Sequence, residues 1–160
     1  MALKVKTTGL NETIKMLEKL SLNTDEIMGD VTIEGAKVAT DTMRSEIKNL
    51  RTSDKYAGGN GKRYAKKEDV QGLLDSLGYT PTQSKGTIID SNVGFDGYNS
   101  NKTKKYPQGH ANRMIANAIN KGTSFMIAQP FINRTKKRAQ ESCINAMQKA
   151  LDKIINAQTK

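Results

Sequence analysis

The sequence predicts the α+β class, and three observations predict it. Apolar residues recur three and four apart through two long stretches, one ending near residue 50 and one running from 139 toward the C-terminus. Ile89, Val93 and Phe95 share one parity, and Ser84-Lys85-Gly86 supplies a turn before them, which is the pattern of a hairpin. Two further strand-like pieces stand at the N-terminus and at 125–129. The predicted fold is therefore a small antiparallel sheet, a hairpin plus N-terminal and pre-helix strands, with a long central helix and a C-terminal helix.

In chain order, LKVKTTGL reads as a short strand that Gly9 ends, with Asn11 placed to cap a helix. Ile14, Leu17 and Leu20, with Met16 alongside, predict that short amphipathic helix over 12–21. After the polar SLNTDE break, Ile33, Ala36, Thr40, Met43, Ile47 and Leu50 make one stripe, and Ile27, Val31, Gly35 and Val38 an adjacent one. Together they predict a helix of about 25 residues, nearly 40 Å long at 1.5 Å per residue.

RTSDKYAGGNGKRYAKK then has no apolar period, three glycines, and six basic residues against one acid. It predicts a mobile basic loop over about 52–67. A short helix at about 68–76 leads into the hairpin. GYNSNKTKKYPQGH is a second polar, basic loop, over about 97–108, followed by a short helix at about 111–120. In the final helix Ala139, Cys143, Ala146, Met147, Ala150, Leu151 and Ile154 form the buried face.

Between these last two helices lies GTSFMIAQPFINRTKKRA, unusually apolar for this chain. Gln129 precedes a proline and is pushed toward extended geometry, and Pro130 suits the first turn of a helix, where its missing N–H costs nothing. The stretch is a strand-to-helix corner. Successive strand side chains alternate, so Phe125 and Ile127 inward would leave Met126 for solvent or a neighbouring subunit. Phe131, the first apolar side chain of the helix, should wedge between helix and sheet.

Composition sets the outer bounds. One domain accommodates 160 residues, but Ala, Val, Ile, Leu, Met, Phe, Trp, Tyr and Cys make up only 36%, with no Trp and three Phe. Such a lean core points to help from neighbouring subunits. Lys and Arg number 26 against 16 Asp and Glu, a formal charge of +10, so the chain should be drawn to anionic surfaces. MALKVKTTGL is broken by Lys and Gly, and no apolar run approaches the roughly 20 residues of a membrane span, so neither a signal peptide nor a membrane is expected.

No motif marks a reaction. YAGGNGKRY fails as a phosphate-binding loop, because Tyr56 stands where the first glycine is needed and Arg63 where Ser or Thr is needed. The sole histidine, His110, lies in a polar loop without a second ligand at metal spacing. The single Cys143 falls on an apolar stripe, which makes it a small buried residue and excludes an internal disulfide. The carboxylates are scattered, with no pair marked for acid–base work. The expectation is a non-enzymatic protein without metal or cofactor.

Lys62, Arg63, Lys66 and Lys67 in the first loop, and Lys102, Lys104 and Lys105 in the second, are basic residues placed to face DNA or a protein partner. Tyr56, Tyr64 and Tyr106 are interleaved as stacking groups. The competing reading is a pair of solvated loops. A free, small, basic nucleic-acid-binding protein is the alternative function that this charge suggests, although no nucleic-acid fold signature accompanies it.

GLNETIKMLEKL, the long helix containing EGAKVATDTM, the phrase GLLDSL before a hairpin, and GTSFMIAQPFI before a C-terminal helix occur in an order that resembles the head-tail joining, or tail-completion, proteins of long-tailed bacteriophages. Gly72, Leu74, Ser76 and Leu77 match the family's Thr-Gly-x-Leu-x-x-Ser-Ile-like phrase, and Gly122, Thr123, Pro130 and Phe131 its Gly-Thr and Pro-Phe pairs. Gln71 stands where Thr is usual and Gln129 where Arg is common, and the family's Tyr and acidic residue ahead of Gly-Thr are absent. The resemblance implies a small sheet packed by two long helices in a structural subunit. That subunit would form a homo-oligomeric ring, a hexamer favoured, at the neck of the virion, with phage connector, tail-terminator or tail-tube proteins as partners and genomic DNA passing through. Assembly would take place in the host cytoplasm.

Overall fold

The computed structural model describes residues 3–6, 24–53, 61–100 and 102–158. The fold is α+β, as expected. Strand β1 (Leu3–Lys6) is followed by helix α1 (Thr24–Lys48), helix α2 (Lys67–Ser76) and strands β2 (Leu77–Tyr79), β3 (Gln83–Lys85) and β4 (Ile88–Phe95). Helices α3 (Asn112–Lys121) and α4 (Phe131–Gln158) complete the chain. The helix expected over 12–21 lies outside the described residues.

All strand pairs are antiparallel, and β4 is the centre of the sheet. One edge of β4 takes β1, with Leu3 opposite Val93; the other takes β2 and β3 end to end. Tyr79 pairs with Val93 and Gln83 with Asp90, so three residues separate the paired positions on the edge strand and two on β4. The extra residue is a bulge at Pro81-Thr82, where a proline's missing N–H removes nothing from a ladder. Thr80 secures the irregularity: its N–H donates to the Asn92 carbonyl at 2.9 Å, its carbonyl accepts the Ser91 hydroxyl at 2.6 Å, and its own Oγ1 accepts the Asn92 N–H at 3.0 Å.

Helix α1 is the 25-residue element that the two apolar stripes predict. It begins at Thr24, earlier than the first stripe alone indicates, with Asp25 and Glu26 in its first turn, where carboxylates favour the positive end of the helix dipole. It runs antiparallel to α4: Glu46 meets Arg134 and Arg138, Gly35 accepts the Cys143 thiol, and Ile27, Met28 and Val31 pack with Leu151. A larger cluster fills the other end, where Met43, Ile47, Leu73, Val93, Ile119 and Phe131 are all buried. Phe131 meets Phe95 of β4 edge-on, with ring centroids 6.2 Å apart. That contact is the wedge between helix and sheet which the sequence predicts.

One expected strand is absent. Residues 125–129 do not join the sheet; Met126 makes only an isolated parallel bridge with Arg63. The alternation is also reversed, since Met126 is 6% exposed and Phe125 50%. Met126 is therefore core, and its assignment to a subunit interface is corrected. The parity argument assumed pairing with the sheet, whereas the nearest backbone is that of the first basic segment.

A corner, two basic segments and an acidic cleft

The corner at 122–131 is built by a glycine that ends α3 and by two polar clamps that the sequence does not announce. Gly122 ends α3 at φ 75°, and a Cβ there would stand 2.9 Å from the Ala128 backbone nitrogen, so the position requires glycine. The Gln129 N–H donates to the Ile119 carbonyl at 2.8 Å, folding the corner back onto α3. The Asn120 side-chain oxygen accepts the Ile132 N–H at 3.0 Å and satisfies an N–H at the start of α4 that has no partner within the helix. Pro130 precedes Phe131 at the helix start, as expected from its fixed φ.

The first basic segment lies along this corner. Arg63 donates its N–H to the Phe125 carbonyl at 3.0 Å and accepts the Ile127 N–H at 2.9 Å, while Ala65 is buried and bridges to Thr52. Residues 61–66 of the loop expected over about 52–67 are thus tied to this corner; residues 54–60, with Tyr56, lie outside the described residues. Lys62 and Lys67 are exposed, and Arg63 and Lys66 half-buried. The Arg51 guanidinium donates to the Tyr64 hydroxyl at 3.3 Å and stands 5.9 Å from the ring centre, so one face of this stacking group is already taken.

The second basic segment is anchored as well. Tyr98 bridges to Ala111, Asn99 and His110 exchange backbone and side-chain hydrogen bonds, and Thr103 and Tyr106 bond each other through both backbone groups. Gly109 has φ 99°, and a Cβ would come 2.0 Å from the Asn99 carbonyl oxygen. No other residue fits there. The Tyr106 ring lies 4.4 Å from that of His110, which is therefore a packing histidine, and the Lys105 ammonium is 5.6 Å from the Tyr106 ring centre. Lys102, Lys104 and Lys105 are exposed.

The two segments meet at an open cleft of 870 Å³, with Lys67 on one wall and Asn99 and Ser100 on another. Its character is acidic: Glu68, Asp69, Asp75 and Asp96 line it, and among the described residues none of the four forms an ion pair. Gly72 of the family-like phrase lines it too, and Ser76 stands at its end of α2; Leu74 is half-buried and Leu77 buried behind them. Asn112 closes the cleft. Its amide donates to the Asp96 carbonyl at 2.8 Å, but its buried Oδ1 has no hydrogen-bond partner.

Among the described residues, no group of three His, Cys, Asp or Glu side chains is placed to hold a metal ion. Cys143 is buried against the Gly35 carbonyl, 3.3 Å away, and burial raises its thiol pKa above the ordinary value. Two buried carboxylates serve structure: Asp90 pairs with Lys4 across the sheet, and Glu46 with two arginines of α4. No helix among the described residues is long and apolar enough to cross a membrane. No protein-family model, no curated protein and no solved structure matches the chain.

Proposed function

We propose that the chain is a structural subunit of a long-tailed bacteriophage virion, a tail-completion or head-tail joining adaptor that forms a ring at the neck. One observation supports the reading: among the described residues, two of the phrases that resemble the family stand at junctions between elements. Gly72, Leu74, Ser76 and Leu77 run from α2 directly into the edge of the sheet, and Gly122, Thr123, Pro130 and Phe131 turn the chain from α3 into α4. The α+β fold with two long packed helices is the fold that the resemblance implies. Exposed Lys62, Lys102, Lys104 and Lys105 suit a protein surface past which DNA moves.

The test is a phage lysate lacking this protein. Heads and tails should accumulate unjoined and become infectious on addition of the purified chain. Normal joined particles in its absence would refute the proposal. Exposed lysines also suit free binding to nucleic acid; in that case DNA affinity should fall steeply with salt, with no requirement for heads or tails.

A further inference from the structure

Among the described residues, none of the cleft's four carboxylates forms an ion pair, and Lys67 is the one cation in its lining, in a chain that carries ten more cations than anions. A basic chain offers many cations for local pairing, so a cluster left unpaired is a surface in want of one. Asn112 gives an independent sign. It is 4% exposed, its Oδ1 lacks a donor, and a Cβ on Gly72 would lie 3.6 Å from that oxygen, in van der Waals contact with the unpartnered acceptor. A buried acceptor without a donor is uncommon and costly. Both features call for the same chemistry, a cationic group with several N–H donors. Exposed Tyr98 stands at the cleft's edge as an apolar contact.

The same chain displays the complementary pair elsewhere. On α4, Phe131, Thr135, Ala139 and Cys143 are buried, and Lys137 and Ile144 lie on the opposite, outward face. Lys137 makes no ion pair among the described residues, and Ile144 is an exposed large apolar side chain. Seven residues separate them, two helical turns or about 10 Å. A rigid helix thus presents one ammonium and one apolar group, opposite a cleft with four carboxylates, one orphan acceptor and one tyrosine.

We infer that the acidic cleft beside Asn112 receives Lys137 of a second copy of this chain, with Ile144 seated on Tyr98. The cleft and the α4 face are different surfaces, so the contact is head-to-tail, the kind that closes into a ring when the rotation permits. The inference rests on the ring reading above and names the surfaces that make the ring.

Charge reversal tests it by sedimentation at low salt. Glu68→Lys with Asp75→Lys reverses the exposed rim of the cleft, and Lys137→Glu reverses the ligand. Each variant alone should lose self-association at least about tenfold, while an equimolar mixture should regain it, because every contact can again join opposite charges. Gly72→Ala is the uncharged check: alanine is favoured over glycine within a helix, so the variant folds, and its methyl group occupies the space beside Oδ1. It too should weaken association. A wild-type chain that stays monomeric at every concentration, or reversal variants that assemble like wild type, would overturn the inference. Loss of binding only to a tail-tube protein, with self-association intact, would also overturn it. Variants that assemble unchanged and still restore head-tail joining would sink the named surfaces while leaving the neck reading standing.

Discussion

The Gln129 carboxamide holds both backbone groups of Arg51, accepting its N–H at 2.9 Å and donating to its carbonyl at 3.0 Å. A side chain thereby does what a neighbouring strand would do, tying the exit of α1 to the entrance of α4. Gln129→Leu removes both bonds at once. Water reaches the exposed side of Arg51 and replaces part of the loss, so the expected destabilisation is about 1 to 2 kcal/mol. Gln129→Glu keeps an acceptor for the N–H but sets a carboxylate oxygen against the Arg51 carbonyl and buries its charge, so it should cost at least as much. Urea unfolding of the three proteins orders them.

Core and surface at the corner follow from burial. Phe131 is enclosed and touches Phe95, so Phe131→Ala should cost about 3 to 5 kcal/mol. Met126→Asp would bury a charge beside that core and should prevent folding. Phe125→Asp, at a half-exposed position, should leave the fold intact. Circular dichroism melts decide it: a folded Met126→Asp with an unfolded Phe125→Asp would reverse the assignment.

The contrast between those two residues shows what was legible in the sequence. Long helices and the hairpin were readable because their apolar periods are set by packing on one face, and the buried residues of α1, Ile89 and Val93 obey them. Phe131 was readable because Pro130 fixes a helix start. Met126 was misread because parity has meaning only once the pairing partner is known, and that partner is Arg63, more than sixty residues away in the chain. The cleft was hidden for a similar reason: Asp75, Asp96 and Asn112 are ordinary one by one and meet only in three dimensions. The task of Gln129 was hidden likewise, since its partner Arg51 is 78 residues away in the chain.

Cys143 links burial to pH. Its thiol is pushed up by burial, so the folded state holds its proton more tightly than the unfolded state, whose thiol titrates near pH 8.5. Stability from this group is complete below that value and is lost as pH rises through the higher folded value. Unfolding free energy should therefore decline above about pH 8.5 in wild type, and this component should vanish in Cys143→Ala. Alkylation gives a second readout. Iodoacetamide should label the native thiol slowly at neutral pH and rapidly in denaturant.

Glu46 sets up an unequal pair of consequences. Its carboxylate is almost wholly buried on α1, while Arg134, 2.8 Å away, and Arg138 reach it from adjacent turns of α4 with their own side chains substantially exposed. If the acid is lost, both guanidinium groups can extend into water, and little charge is left stranded. Glu46→Met, which fills similar volume with apolar atoms, should therefore be close to neutral. If both arginines are lost, the carboxylate stays behind without a cation. Arg134→Met with Arg138→Met should cost about 3 to 5 kcal/mol, the penalty for an uncompensated buried charge. Either single arginine variant should cost much less than half of that, because one guanidinium still neutralises the acid. The effects are thus non-additive, and the double-mutant cycle between the arginines should give a coupling of at least about 1 kcal/mol. Placing Glu46→Met in the double-arginine background should then restore most of the stability lost. Equal, additive losses from the two arginines, with no rescue by Glu46→Met, would mean that they stabilise the helix pair by packing of their methylene stems and not by neutralising Glu46.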